Sequence, residues 1–346
     1  METTFFKEEK DLQKIQEIQN SYDYFSSQLS NITIDEEKNI IIEDEKYKGT
    51  ELFFESFFKY LRIPYNFANM IPTDLVIENV DRLNDEFNNE MRICKRDNVL
   101  VNIEPRINRG QEVYRENLDT SNLMEYFSGE SFVIKNSYVG DYGAVIDVVH
   151  KDLGDFEIDE QGKIQIGYRI KNPFTFTGTA VSTNLLLHQL ICSNGMTLSK
   201  RYCGVSMNLN KNYGDQETFI ERFKNNLDQK IARGYSIEKI SDMYRMMAQT
   251  DIKYRWLKPI FSAVRNYDPQ LFEKVFNISW EEDGKNYITL FEDNENDDSG
   301  YKYFDTIFSL TRNCQKLSHK DRLYFEDYNS NIVKLFEKQV KLTTNV

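Results

Sequence analysis

Apolar positions along this chain recur first at helical spacing, then in alternation, and then at helical spacing again. In KEEKDLQKIQEIQN, residues 7–20, Leu12, Ile15 and Ile18 stand three apart among charges, which predicts one apolar face on a short helix. ITIDEEKNIIIEDEKYKG carries apolar residues on either side of the acidic turn Asp35-Glu36-Glu37 and predicts a β-hairpin. In TELFFESFFKYLRIP, the residues Leu52, Phe53, Ser56, Phe57, Tyr60 and Leu61 share one side of a helix that Pro64 ends, because the residue before proline avoids the helical region. Thr73 then reads as an N-cap with Asp74 in the favourable first turn, and Leu75, Ile77, Val80, Leu83 and Phe87 form the next apolar stripe.

The middle of the chain alternates. MRICKRDNVLVNI predicts two strands around Arg96-Asp97-Asn98, and SFVIKNSYVGDYGAVIDVVH predicts another hairpin. KIQIGYRIKNPFTFTGTAVS reads as further strand, with Ile164, Ile166, Tyr168 and Ile170 on one face. From Asp215 onward the spacing turns helical: Phe219, Ile220, Phe223, Leu227 and Ile231 recur along one helix that Gly234 closes. Ser236 caps a following helix, and the pair Ser318 and Asp321 precedes a last one. EDNENDDSG, residues 292–300, has no apolar anchor and reads as a mobile acidic loop. The fold class expected is α+β: a mixed, mainly antiparallel sheet core with helices, followed by a helical C-terminal part. The order is no regular βαβ alternation, which argues against a dinucleotide-binding type of fold. Three regions are expected: an N-terminal helix and hairpin over 1–48, an α+β core over 49–215, and a mainly helical region over 216–346.

Composition narrows the function classes. With 56 acidic against 43 basic residues the formal net charge is −13, a surface that repels nucleic-acid backbone on average and leaves only a local basic groove for it. The 24 Phe and 21 Tyr exceed what a bland surface needs and supply core, interface or base-stacking rings. Met1 is followed by ETTFFKEEK, which has no apolar leader segment, and no apolar run reaches the about 18 residues that would span a membrane. Four separated cysteines with no CxxC pair read as free thiols in a reducing compartment, so a cytoplasmic protein without membrane contact is expected.

Chemistry-bearing clusters are few. His188, Cys192 and Cys203 are spaced H-x3-C-x10-C but lack a fourth nearby ligand, so no metal and no cofactor is expected. The same stretch reads more simply as an apolar element ending in the Asn194-Gly195 turn, with Leu187, Leu190, Ile191 and Cys192 buried. Cys192, or Cys203 beside Lys200 and Arg201, is the thiol an enzyme would use. The acidic loop lacks the glycine and the closing carboxylate of a calcium loop. Cations interleave with aromatics in two places. Arg92, Lys95, Arg96, Arg106, Arg109 and Arg115 surround Tyr114, while Lys200, Arg201 and Lys211 accompany Tyr202 and Tyr213. Such interleaving suits a single strand, whose phosphates meet cations and whose bases stack on rings. The acids Glu104, Glu112 and Glu116 inside the first cluster also suit a plain solvated face.

Four segments occur in order: YLRIPYNFANMIPTDLVIENVDRLN, VIKNSYVGDYGAVI, LLLHQLICSNGMTLS and YFDTIFSLTRNCQKLSHKDRLYFEDYNSNIV. Together they resemble the phage/plasmid-like family known as domain of unknown function 932. The signature positions are Asn136 and Ser137 in the hairpin and Cys192, Asn194 and Gly195 in the third segment. The chain departs from the family where Gln189 or His188 stands in place of an arginine, and where the last segment lacks an asparagine before Thr311. The resemblance implies a setting in phages, plasmids and other mobile elements beside recombination or replication genes, and it implies no mechanism. The expectation that follows is an accessory protein of DNA metabolism or recombination in the host cytoplasm. It would bind single-stranded DNA or RNA, or a recombination or replication protein. Arg106, Arg109, Arg115, Lys200 and Arg201 would meet phosphate, and Tyr114, Tyr202 and Tyr213 would stack. The alternatives are an oligomeric structural or assembly protein, an enzyme using Cys192 or Cys203, and an acidic inhibitor of a host DNA-binding protein.

Overall fold

The computed structural model describes residues 7–8, 11–84, 89–106, 120–127, 132–151, 156–158, 162–190, 196–200, 205–209, 211, 213–234, 251–252 and 301–302. Its order opens with strand β1 (Lys7–Glu8), helix α1 (Leu12–Gln19) and strand β2 (Tyr22–Gln28). The N-terminal helix is thus shorter than its charge pattern predicts. Asp11 starts it by accepting a hydrogen bond from the Gln13 N–H at 2.9 Å, and Ile15 and Ile18 are its buried face. Three strands follow, β3 (Ile32–Ile34), β4 (Ile40–Ile42) and β5 (Glu45–Gly49), and β3 pairs β4 antiparallel as the hairpin reading expects. At its turn Asp35 accepts from the Asn39 backbone and side chain and pairs with Lys46 at 2.8 Å. The Lys46 ammonium and then the Asn39 amide hold the Asp35 carboxyl well below the usual carboxylate range.

Thr50 then caps helix α2 (Glu51–Tyr60), its hydroxyl accepting from the Phe53 N–H while donating to the Val101 carbonyl. Short helix α3 (Tyr65–Met70) and helix α4 (Thr73–Asn84) lead to the strand pair β6 (Glu90–Arg96) and β7 (Val99–Pro105). Asp97 takes a φ of 54° in the connecting turn. The first sheet has strand order β2-β6-β7-β5-β4-β3 and is mixed, because β5 runs parallel to β7. Cys94 faces Asn102 but Lys95 faces Leu100, so Val101 is an extra residue, a β-bulge, and Thr50 bonds its carbonyl.

One face of this sheet is apolar. Ile32, Ile34, Ile40, Ile42, Met91, Ile93, Leu100 and Ile103 pack with Phe53, Phe57, Phe58, Val76 and Val80 of the helices. On α4 the expected Val80 is buried and Ile77 and Leu83 pack against the cluster, but at the start of the helix Val76 is buried in place of Leu75, which is 44% exposed; Phe87 lies outside the described residues. Tyr47 sits on this face and its hydroxyl donates to the Glu45 carboxylate. That bond, with burial adding to it, pushes the Tyr47 pKa up from 10.0 to about 12. The folded state therefore holds this proton more firmly than the unfolded chain. Its stabilisation is fully present below pH 10 and is lost as pH rises through about 12. Urea midpoints measured across that window should fall more steeply for the wild type than for Tyr47→Phe, and parallel curves would refute the assignment.

The chain continues through α5 (Thr120–Met124) to the hairpin β8 (Phe132–Gly140) and β9 (Gly143–His150), then β10 (Phe156–Ile158), β11 (Gly162–Asn172), β12 (Ala180–Leu190), β13 (Met196–Lys200) and β14 (Ser206–Asn208). This second, antiparallel sheet follows β1-β8-β9-β11-β12-β13, with β10 on β11 and β14 on β12. Gly143 has a φ of +80° at the hairpin turn, and a Cβ there would stand 2.4 Å from the Asn172 carbonyl oxygen. Only glycine admits both that conformation and that approach. Helix α6 (Gln216–Gly234) buries Phe219, Ile220, Phe223 and Leu227 at the expected spacing. Asp215 accepts from the Thr218 N–H at its start, and that bond lowers the Asp215 carboxyl. The strand pair β15 (Asp251–Ile252) and β16 (Tyr301–Lys302) completes the described elements.

The fold is therefore α+β, as the alternation of periods predicts. The chain divides into two compact units, Met1–Val148 with Arg169–Thr183 and Val205–Gln229, and Val149–Tyr168 with Asn184–Gly204 and Lys230–Val346. The acidic loop 292–300 and the helices expected from Ser236 and Ser318 lie outside the described residues. No helix among the described residues is long and apolar enough to cross a membrane.

Candidate functional site

The other face of the first sheet differs in kind from its apolar side. The pairings Tyr22↔Arg96, Tyr24↔Cys94 and Ser26↔Arg92 across β2 and β6, and Arg92↔Glu104 and Cys94↔Asn102 across β6 and β7, place these side chains together. Arg92 and Asn102 are buried, and Tyr24 and Arg96 are half-buried. Covering them, within the same unit, is the segment Pro173–Thr179 between β11 and β12. Phe174 meets the Tyr22 ring edge-on at 5.2 Å, and Phe176 meets the Tyr24 ring at 5.7 Å. The Arg92 guanidinium stands over the Phe176 ring at 5.1 Å and its Nη1 lies 3.9 Å from Glu104. The Asn102 amide donates to the Thr175 carbonyl at 2.8 Å, and the Thr175 hydroxyl donates to the Asp141 carbonyl at 2.6 Å. Phe176 adopts a φ of 65°, a conformation rare for a bulky side chain. Burial first, then the Asp141 carboxylate and the Cys94 thiol, push the Tyr22 hydroxyl well above its ordinary range.

A second buried polar group lies between β9 and β11. The Arg169 guanidinium donates from Nε and Nη2 to the two Asp147 carboxylate oxygens, each at 2.7 Å. Both side chains are at most 2% exposed. The pair braces the strands and presents nothing to solvent. At the end of β11, Asn172 donates to the Thr120 hydroxyl, and the Thr120 N–H donates to Gln19, tying α5 to α1.

The residues expected to bind phosphate and stack on bases are distributed as follows. Arg106 pairs with Glu90, whose backbone carbonyl also accepts from the Arg106 N–H, so it closes the β6–β7 ladder. Lys95 lies over the Phe25 and Tyr47 rings at 5.6 and 5.7 Å, and Arg96 over Tyr22 at 5.6 Å. Tyr213 is half-buried against Phe219 at 5.4 Å, and the exposed Arg222 guanidinium stands 5.9 Å from its ring centre. Lys200 ends β13 opposite Leu185 of β12. Arg109, Tyr114, Arg115, Arg201 and Tyr202 lie outside the described residues, as do Cys192, Asn194, Gly195 and Cys203. His188 faces Thr197 in the β12–β13 pairing. Of the signature positions, Asn136 is half-buried and Ser137 buried on β8. Among the described residues no group of three His, Cys, Asp or Glu side chains is placed to hold a metal ion.

The sequence reading missed Tyr22, Tyr24, Phe174, Phe176 and Asn102. Their signal is present in YDYFSS and PFTFTG, where aromatics recur every second residue, but nothing local says that the two stretches meet. Compared with family models, curated proteins and solved structures, the chain gives no significant match.

Proposed function

We propose that this is an accessory protein of DNA metabolism encoded by a phage or another mobile element, working in the host cytoplasm by binding single-stranded nucleic acid. The observation that carries the reading is the pairing of Tyr213 with Arg222. A half-buried ring is braced beneath by Phe219, carries a guanidinium over it, and has the exposed Lys211 two residues before it. A base stacks on such a ring while the cations meet the adjoining phosphates. The resemblance to the phage/plasmid-like family supplies the setting, and the sequence offers Lys200 and Arg201 as further phosphate-meeting cations. In this reading the chain beyond Gly234 continues mainly as helices, as its apolar spacing predicts.

The test is fluorescence anisotropy with a mixed-sequence single-stranded oligonucleotide at two salt concentrations. Tyr213→Ala is expected to weaken binding roughly tenfold, within the about 1–3 kcal/mol that one stacked base supplies. Lys200→Glu with Arg201→Glu should weaken it further and flatten the salt dependence. A wild-type protein that binds no single strand at the lower salt ends the reading.

A second reading has its own support. Phe67, Met70 and Leu75 on α3 and α4 are 51%, 78% and 44% exposed, an apolar group that a protein partner or a second copy would cover. That surface supports, as the alternative, binding to a recombination protein or an oligomeric assembly role.

A further inference from the structure

We propose that the polar face of the first sheet is itself a single-strand-binding platform, held closed by Pro173–Thr179 in an autoinhibitory contact. The inference rests on the nucleic-acid reading above and adds a second site and its regulation.

Strand alternation puts Tyr22 and Tyr24 two residues apart on β2, about 7 Å along the strand, with Arg92 and Arg96 beside them on β6. Two rings and two guanidinium groups on one sheet face form the chemistry that stacks bases and neutralises phosphates. In this structure the ring positions are filled by the chain's own rings. Phe174 and Phe176, again two residues apart, occupy Tyr22 and Tyr24 in turn, and Arg92 covers Phe176 as it would cover a base.

A seam serving only as core would be made more easily from apolar residues, as the opposite face of the same sheet is. The covering segment also carries a rare backbone conformation and is latched by polar bonds to the sheet and to the β8–β9 turn. Phe176 sits at a φ of 65°, while Asn102 and Asp141 hold Thr175, and the Tyr142 carbonyl accepts from Thr177. Among the described residues the sheet's carboxylates on this face are Glu104, beside Arg92, and Glu90, paired with Arg106, while Asp141 belongs to the covering side. Release of Phe176 exposes Tyr24 and Arg92 to a base, and Arg96 meets the next phosphate. Because the closed form predominates, the apparent affinity of this face is reduced by the fraction open, and loosening the segment raises it.

The experiment compares wild type with Phe174→Ala/Phe176→Gly, the glycine retaining the left-handed backbone. A fluorescent oligothymidine is the probe. The loosened variant should bind at least tenfold more tightly, and adding Tyr24→Ala and Arg96→Gln should remove the gain. In the wild type, saturating oligothymidine should speed hydrogen exchange across residues 173–179, a readout that needs no variant to fold. Equal affinity of wild type and a folded loosened variant, a gain that survives loss of Tyr24 and Arg96, or unchanged exchange at 173–179 overturns the inference. If wild type binds through Tyr213 while the loosened variant gains nothing, only the platform falls. If neither protein binds, the nucleic-acid reading falls with it.

Discussion

Asp147→Ala is expected to lower the unfolding free energy by about 3–5 kcal/mol, the usual loss when one partner of a buried ion pair is removed. The Arg169 guanidinium would remain in place with both of its 2.7 Å acceptors gone and almost no exposure to water. Strand β9 offers no escape, because Gly143 through Val149 are all buried. The replacement Asp147→Leu with Arg169→Met is expected to recover most of the loss, since it removes both charges and keeps the volume apolar. Urea titrations at constant slope m measure both effects. A single variant within about 1 kcal/mol of wild type would mean that water reaches the pair. A double variant as unstable as the single one would mean that the charges specify the strand register.

That pair was hidden in the sequence for a physical reason. GAVIDVVH and KIQIGYRIKN each read as an apolar strand with one odd polar residue, and Ile166, Tyr168 and Ile170 are indeed a buried face. Alternation assigns Arg169 to the opposite face, but it does not say that this face is covered too. Only the register of β9 against β11, fixed over 22 residues of separation, brings Asp147 and Arg169 together. The same limit applies to β6. Arg92, Lys95 and Arg96 read as surface cations because they sit beside a turn, whereas each stands over an aromatic ring supplied by another element.

Elements whose signal is local were legible. The hairpins of β3 with β4 and β6 with β7 follow from apolar alternation around Asp35 and Asp97, and α6 from the spacing of Phe219, Phe223 and Leu227. On α4 the stripe through Ile77, Val80 and Leu83 was legible and its first position was not. Leu75 and Val76 are both apolar, so the sequence offers two residues for that position, and packing against the sheet selects Val76. Of the candidate site, Tyr213 and the cationic character of β6 were visible in the sequence. The covering role of PFTFTG was not, since an alternating aromatic run looks the same as a strand, a plug or a stacking surface.

Phe57→Ala is the expected counterpart among the legible residues, with a loss of about 3–5 kcal/mol. The helical spacing of Phe53, Phe57 and Leu61 predicts one buried stripe on α2, and all three are 0% exposed. Phe57 stacks on Phe53 at 5.9 Å with the rings 13° apart and touches Phe58 at 5.6 Å. Removing the ring opens a cavity in the cluster that joins α2 to Ile93, Leu100 and Ile103 of the sheet. Because Thr50 anchors the start of α2 to the β7 bulge, the helix cannot slide to refill the space without breaking that cap. Phe54→Ala, on the half-buried side of the same helix, is the control and should lose clearly less. Urea unfolding of the two variants gives the comparison. Equal losses would show that the helix is anchored by its propensity and cap, and that the apolar face it turns to the sheet is loosely packed.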